Sequence, residues 1–400
     1  MLFISYDGLT DPLGQSQILP YLVGLAKKGH QISVLSCEKK EPFDLRYNSI
    51  QKRCDAVDIK WKYIKYRKRP PIISTLLDIL ELQNTALTWH YSASFDIVHC
   101  RTILPTLIGL KLQKRGAKLI FDIRGFWADE RVDGKLWDLS NILYKKVYDF
   151  VKAKEKLAYQ KADHIIALTQ SAKSSLQQDF ALLSSKIDVV PCTVDLKHFK
   201  HSKATERKAE KLKVDLNIKE ESTIFCYSGS LGTRYLIEEM LKFFSAIQKK
   251  KSDAVFLIIT HHSTLELEKI ANQLGILEHL RITSTSYAEI PAYLAMADLG
   301  LYFIFAGNSG KAVSPTKQAE FLSMGVPIIT NAGIGDSELL IQENGVGIVL
   351  EDLSSITYEK LSAQLNNLLA LPRQKMIQLS EREFNLEKGI ATYHQVYSSI

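Results

Sequence analysis

The sequence predicts an α/β protein made of two successive doubly wound domains, and three observations carry that reading. Short apolar runs of strand length alternate with longer amphipathic stretches along the chain, the signature of β-α-β units with parallel strands. The rhythm pauses in a polar, Lys-rich stretch from Lys200 to Lys213 and then restarts. The 400 residues also exceed what one core usually encloses. With 46% hydrophobic residues and a mean hydropathy near zero, the composition excludes a largely disordered chain.

The elements follow in order. MLFISY reads as the first buried strand, and SQILPYLVGLAKKGH as a helix with Ile18, Leu19, Leu22, Val23, Leu25 and Ala26 at helical spacing, closed by Gly29. QISVLSC is the next strand. DIVHC, a helix from Pro105 to Arg115, KLIFDI, a long charged helix from Ser140 to Ala162, HIIALT and KIDVVP complete the first half. In the second half, TIFCYSGSL ends in a glycine turn before a helix from Leu236 to Lys249. AVFLIIT, a helix around Glu266 to Leu274, LRITST, LGLYFI, a helix from Thr316 to Met324 and PIITN continue it. Ligands are expected at the carboxyl ends of the strands.

Several classes are disfavoured. The apolar runs fall far short of the roughly 18–20 residues of a spanning helix, and the N-terminus reads as a strand rather than a signal peptide. Five scattered cysteines with no Cys-x-x-Cys pair support neither a disulfide framework nor a zinc site, and a reducing cytoplasm fits best. Ten histidines show no metal-ligand spacing, and there is no Asp-x-Asp, so no metal is expected. Charge is lopsided: residues 1–200 hold 31 Lys and Arg against 21 Asp and Glu, whereas residues 201–400 hold 20 against 23. A basic half of this kind suits an acidic partner.

Four segments concentrate functional chemistry. The first strand runs into DGLTDPLGQSQ, a strand–turn–helix junction whose backbone N–H groups suit an anion, with Gly14, Gln15 and Ser16 beside it. A plain connection between elements is the alternative. KLIFDI delivers Asp122 and Arg124 into a polar loop containing Phe126, Trp127, Asp129, Glu130, Arg131 and Asp133, where local Arg–carboxylate pairing is the alternative. In YSGSLGTRY, Gly229 and Ser230 form a turn, and Arg234 would face the same anion as the turn. In SPTKQAEFLSMGVPIIT, Ser314, Pro315 and Thr316 open a helix, and Lys317 and Glu320 share its face. A helix N-terminus with Lys317 suits a diphosphate, and Glu320 one turn on suits two ribose hydroxyls. Finally, Lys60 to Arg69 holds six basic residues interleaved with Trp61, Tyr63 and Tyr66. Contact with an anionic membrane, single-stranded nucleic acid, or an edge strand with solvent-facing lysines would each account for it.

Together these segments resemble the retaining glycosyltransferases of family 4, of GT-B architecture, in which two Rossmann-like domains face each other across a cleft. The resemblance spans nearly the whole chain and includes DGLTDPLGQSQILPYLVGLAKKGHQISVLS, VVPCTVDLKHF, SPTKQAEFLSMGVPIIT and the closing FNLEKGIATYHQVY. It implies an acceptor domain over 1–199, a donor domain over 200–380 and a C-terminal helix over 381–400 that packs back on the first domain. It also implies that Gly14 lies beside the donor phosphate, that Lys317 binds phosphate, and that Glu320 is the second glutamate of the family's Glu-x7-Glu motif. Three departures stand out: Ala312 occupies the first glutamate's place, GSLGTRYL lacks the family's Arg and Lys, and FDIRG offers Asp122 and Arg124 where the family has a histidine.

The expected function is transfer of a sugar, with retention, from a UDP- or GDP-sugar to a hydroxyl acceptor in surface-polysaccharide or glycolipid assembly. No further cofactor is required. Arg234, Lys317, Asp122 and Arg124 are the catalytic candidates. Gly14, Gly229, Ser230, Ser314, Pro315, Thr316 and Glu320 are expected to hold the donor, and Gln15, Trp127, Asp129 and Glu130 the acceptor, lipid-linked or saccharide. The protein would be cytoplasmic, on the inner face of the membrane through Lys60 to Arg69, with no nucleic-acid partner. A nucleotide-sugar epimerase of the same fold and a non-catalytic nucleotide-sugar-binding protein are the alternatives.

Overall fold

A computed structural model describes residues 1–232 and 234–400, with the side chains of 355–359 and 362 set aside. The chain divides into two units: residues 1–132, 136–193 and 386–400 form the first, and residues 133–135 and 194–385 the second.

The first unit runs β1 (Leu2–Ser5), α1 (Pro12–Gln17), α2 (Leu19–Lys27), β2 (Ser33–Glu38), α3 (Lys40–Asp55), β3 (Lys60–Lys65), α4 (Ile73–Ala93), β4 (Ile97–Arg101), α5 (Ile103–Gln113), β5 (Lys118–Asp122), α6 (Trp127–Asp133), α7 (Ile142–Lys161), β6 (His164–Ala167), α8 (Gln170–Phe180) and β7 (Ile187–Val189). Its strands pair in parallel in the order β3-β2-β1-β4-β5-β6-β7. β1, β2 and β6 are buried along their whole length, because helices cover both faces of such a sheet.

The second unit holds α9 (Lys203–Asp215), β8 (Ile224–Ser228), α10 (Ile237–Gln248), β9 (Val255–Ile259), α11 (Leu265–Gln273), β10 (Leu280–Thr283), α12 (Ile290–Ala295), β11 (Leu299–Leu301), α13 (Thr316–Ser323), β12 (Ile328–Asn331), α14 (Ser337–Asn344), β13 (Gly347–Leu350), α15 (Ser355–Leu369) and α16 (Arg373–Glu383). Its parallel sheet has the order β10-β9-β8-β11-β12-β13. Both sheets are therefore doubly wound. The strand order reverses beside β1 and β4 in one and beside β8 and β11 in the other, which is where crevices for ligands open.

Local chemistry accounts for the departures from the sequence reading. The expected first helix is split at Ile18, whose φ of −125° and ψ of −67° leave the helical region. Pro20 lacks an N–H and sits in the first turn of α2, where no ladder bond is lost. The Lys200–Lys213 stretch is not a linker. Ser202 and Thr205 form a reciprocal capping box that starts α9, and this helix packs on α12 with Ala209 buried. The expected limits at 199/200 and 380/381 accordingly move to 193/194 and 385/386. Val194 N–H donates to the Phe384 carbonyl at 2.8 Å and bridges Asn385, tying both ends of the second unit together.

Lys60–Lys65 is β3, an edge strand exposed along most of its length. Trp61 and Tyr63 stack with Phe43 and Tyr47 of α3 at centroid separations of 4.6 to 6.2 Å, and Trp61 Nε1–H donates to Ser36 Oγ. The aromatic residues that suggested headgroup contact thus fasten α3 to the sheet edge.

The final helix, α17 (Leu386–Ser399), belongs to the first unit and packs on α2. Ile390, Tyr393, Val396 and Tyr397 are buried there with Tyr21, Leu22 and Leu25. Two glycines permit the approach. A Cβ on Gly24 would lie 2.3 Å from Ile390 Cδ1, and one on Gly389 would lie 2.8 Å from Tyr21 and 3.2 Å from Thr193. His394 Nδ1 and His30 Nε2 add a hydrogen bond of 2.8 Å.

Gly389→Val is expected to destabilise the protein by about 1–3 kcal/mol through overpacking, read from the urea midpoint. Burial lowers the pKa of His30, with His394 and the N-terminal ammonium adding to it. The unfolded chain therefore takes up a proton near 6.5 that the folded chain refuses, so this contribution is present above about 6.5 and lost as pH falls. Stability should decline less between pH 7 and 5 in His30→Gln than in the wild type. The His30 imidazole should titrate below 6.5 by NMR.

Candidate active site

In the first unit a cluster of charged groups is buried at the carboxyl edge of β4 and β5. Asp122, the last residue of β5, has Arg124 Nε 3.9 Å from Oδ1, and has His99 Nε2 at 3.4 Å and Arg101 Nη1 at 3.9 Å from Oδ2. Tyr393 O–H of α17 donates to Asp122 Oδ2 at 3.2 Å. The four charged or titratable side chains are each at most 5% exposed. Burial pushes the Asp122 carboxyl up, but Arg124, His99 and Arg101 outweigh it and hold it below the ordinary carboxylate range. Burial keeps His99 neutral, against the pull of Asp122, and its Nδ1 lies 2.6 Å from Tyr397 O–H. Arg124 donates to Gln17 Oε1 and Cys192 Sγ, while its Nε and Nη1 have no hydrogen-bond partner among the described residues.

Arg124 reaches this position through backbone strain. Its φ is +54° and that of Gly125 is +128°, and the first of these costs a non-glycine residue about 1 kcal/mol or more. The kink turns the chain back at the end of β5. Asp122 and Arg124 are brought together at the end of β5, and His99, Arg101, Gln17, Tyr393 and Tyr397 join them without having stood out in the sequence. A histidine and an arginine closing the apolar run DIVHCR were the one available signal.

The turn after β1 differs from expectation. The Leu9 and Thr10 N–H groups, expected to face a ligand anion, donate to the Glu38 carboxylate at 2.7 and 3.2 Å. The hydroxyls of Thr10 and Ser36 donate to it as well. A carboxylate of the chain thus occupies the place reserved for an anion. Gly14 is buried, and a Cβ there would lie 2.0 Å from the Gly8 carbonyl oxygen, so its small size serves backbone packing. Gln15 Nε2 donates to the Thr10 carbonyl.

The loop after β5 is similarly committed. Asp129 accepts from Tyr148 O–H at 2.7 Å and from Lys152 Nζ at 2.8 Å, and Lys152 also pairs with Glu155 at 3.0 Å. Both oxygens of Asp129 therefore hold α6 on α7. Glu130 lies against Gly125, and Trp127 packs edge-on to Trp137 with Arg131 4.1 Å from its ring centroid.

In the second unit, α13 begins at Thr316 after Pro315 and Ser314, and Lys317 is 3% exposed. Its Nζ lies 3.5 Å from the Tyr235 ring centroid and 5.0 Å from that of Tyr227. Gly229, with a φ of +140°, leaves room for that ammonium: a Cβ there would be 3.2 Å from Lys317 Nζ. Ser230 follows, its carbonyl accepting from Tyr227 O–H. Burial pushes the Glu320 carboxyl up to about 7, with Lys317 opposing. Arg234 Nη2 donates to Ser309 Oγ at 3.0 Å, in the loop after β11. Lys317 and Gly229 converge at the carboxyl end of β8, and Tyr227 and Tyr235 frame them. The two tyrosines carried no sequence signal because their role depends on facing Lys317. Ala312 is buried, so the place of the family's first glutamate presents no acid. Among the described residues no group of three or more His, Cys, Asp or Glu is positioned to hold a metal ion.

Comparison with known proteins defines the class. Residues 21–198 match the model of Glycosyltransferase Family 4, and residues 208–383 that of Glycosyl transferases group 1. This chain is a glycosyltransferase of the GT-B type. It is 23% identical over 384 residues to the Escherichia coli (strain K12) protein WcaI, named for colanic acid biosynthesis and as a glycosyl transferase, covering 91% of this chain and 90% of that one. It is also 23% identical over 398 residues to the MMP alpha-(1->4)-mannosyltransferase of Mycolicibacterium hassiacum, covering 93% and 89%. Among solved structures, Anabaena Alr3699/HepE in complex with UDP and glucose superposes with a TM-score of 0.71 at 13% identity, over 100% of this chain and 99% of that chain.

Glu38→Ala leaves the Leu9 and Thr10 N–H groups unpaired and is expected to cost about 1–3 kcal/mol, measured by urea denaturation. Faster amide exchange at Leu9 and Thr10 would accompany it.

Proposed function

We propose that this glycosyltransferase is a retaining enzyme that moves a sugar from a nucleoside diphosphate sugar to a hydroxyl acceptor in surface-polysaccharide or glycolipid assembly. The single observation that carries this reading is the convergence of Lys317 and Gly229 at the carboxyl end of β8, with Glu320 one turn further along α13. Lys317 and the N–H groups opening α13 would neutralise the diphosphate, with Arg234 as a second cation. Glu320 would accept from the ribose hydroxyls. The structurally similar HepE is known in complex with UDP, which supports a nucleotide as part of the donor.

The chemistry asked of these groups is stabilisation of a departing diphosphate. The bond from the anomeric carbon to phosphate oxygen breaks, and the acceptor oxygen bonds to the same face of that carbon. The acceptor's proton passes to the leaving phosphate, so no separate protein base is needed. Asp122 and Arg124, buried at the carboxyl edge of the first unit's sheet, would set the electrostatics of the place where the acceptor binds. The acceptor, lipid-linked or saccharide, would be met at the cytoplasmic face of the membrane.

Titration calorimetry with UDP and with GDP tests this. One of them should bind, and Lys317→Ala should weaken that binding at least about tenfold, the loss of one charge-assisted contact. Wild-type affinity should fall as pH drops through about 7, where Glu320 takes up a proton, and Glu320→Gln should remove that dependence. Binding of neither nucleotide, or unchanged binding by Lys317→Ala, would sink the reading. Retention is read from the anomeric configuration of the product.

A further inference from the structure

We propose that the outer face of the helix layer formed by α4, α5 and α7 in the first unit docks on an anionic lipid bilayer. The inference extends the proposed function by giving the membrane a defined place on the protein, and it rests on that reading only for the purpose of the contact. α5 packs against both α4 and α7, so the three helices form one layer on the sheet. α4 turns Ser74, Asp78, Leu82 and Ala86 inward. Its first two turns present Ile73, Leu76, Leu77 and Leu80 outward, a spacing that lines one helical face. On α7, Leu143 and Phe150 do the same, while Val151, Glu155, Ala158 and Tyr159 face inward. These six outward side chains are between 48% and 58% exposed, and exposed apolar stripes on helices of one layer mark an interaction surface.

Charge identifies the occupant. The uncharged run from Pro70 to Leu77 directly follows the six basic residues of Lys60 to Arg69, and α7 carries six lysines against two carboxylates. Lys146, three residues after Leu143 and four before Phe150, is exposed on their side of α7, and Lys154 Nζ is 5.3 Å from the Phe150 ring centroid. Protein interfaces are depleted of lysine at their cores. Lysines interleaved with exposed aliphatic and aromatic side chains instead suit a bilayer surface, where the stems lie among acyl chains and the ammonium groups meet phosphate. The contact is peripheral: among the described residues no helix is long and apolar enough to cross a membrane.

Flotation of the full-length protein with phosphatidylcholine vesicles, with and without about 30 mol% phosphatidylglycerol, tests the proposal. Wild type should float with the anionic vesicles and be released by salt. The double variant Leu76→Glu/Leu77→Glu, and separately Phe150→Glu, should lose at least about tenfold in partitioning. Leu339→Glu, an exposed leucine of the second unit, should bind as wild type. UDP and GDP affinities measured on the same samples report that each variant is folded and are expected to be unchanged. Absence of wild-type flotation, or wild-type flotation by both apolar-face variants, overturns the proposal. So does a wild-type dimer in sedimentation that the double variant converts to monomer, because the patch would then be covered by a second copy. Vesicle binding by a protein that binds neither nucleotide would leave this inference standing and remove the donor reading.

Discussion

Parallel strand pairing is the constraint from which the remaining features follow. Each sheet must be covered by helices on both faces, so its central strands become continuous apolar runs, and polar chemistry is left to the carboxyl edges. Every strand-to-helix junction at that edge brings backbone N–H groups and a change of chain direction to the same place. The candidate groups of both units lie there: Asp122 and Arg124 beyond β5, Gly229 beyond β8, and Lys317 at the start of α13.

The two edges solve the problem of charge differently. In the first unit, charged groups are gathered inside the protein and balanced against one another, with Asp122 among Arg101, Arg124 and neutral His99. Breaking one member would leave the others uncompensated. In the second unit, Lys317 rests on the Tyr227 and Tyr235 rings, and Glu320 lies in surroundings that favour its protonated form.

The C-terminal helix joins these considerations to stability. Tyr393 and Tyr397 bury their rings against α2 and the sheet and extend their hydroxyls to Asp122 and His99. Residues nearly 300 positions apart in sequence therefore set the geometry at the end of β5. The same helix depends on Gly24 and Gly389 for its approach. Packing at one side of the sheet and electrostatics at its edge are a single structural unit.

The sequence by itself determined the two doubly wound domains and the helix that carries Lys317 and Glu320. These are local properties: apolar periodicity, a proline before a helix, and side chains one turn apart. It also placed Asp122 and Arg124 at a strand end, since strand and loop differ sharply in composition there. α9 was hidden, because its start depends on a Ser202–Thr205 capping exchange and its buried face is narrow. Tertiary structure alone decided that Glu38, from the end of another strand, fills the anion site beside β1, and that Asp129 serves the packing of α6 on α7. It also decided that Tyr227 and Tyr235 face Lys317. Each of these depends on partners brought together from distant positions, and spacing along the chain carries no record of which side chain will meet which.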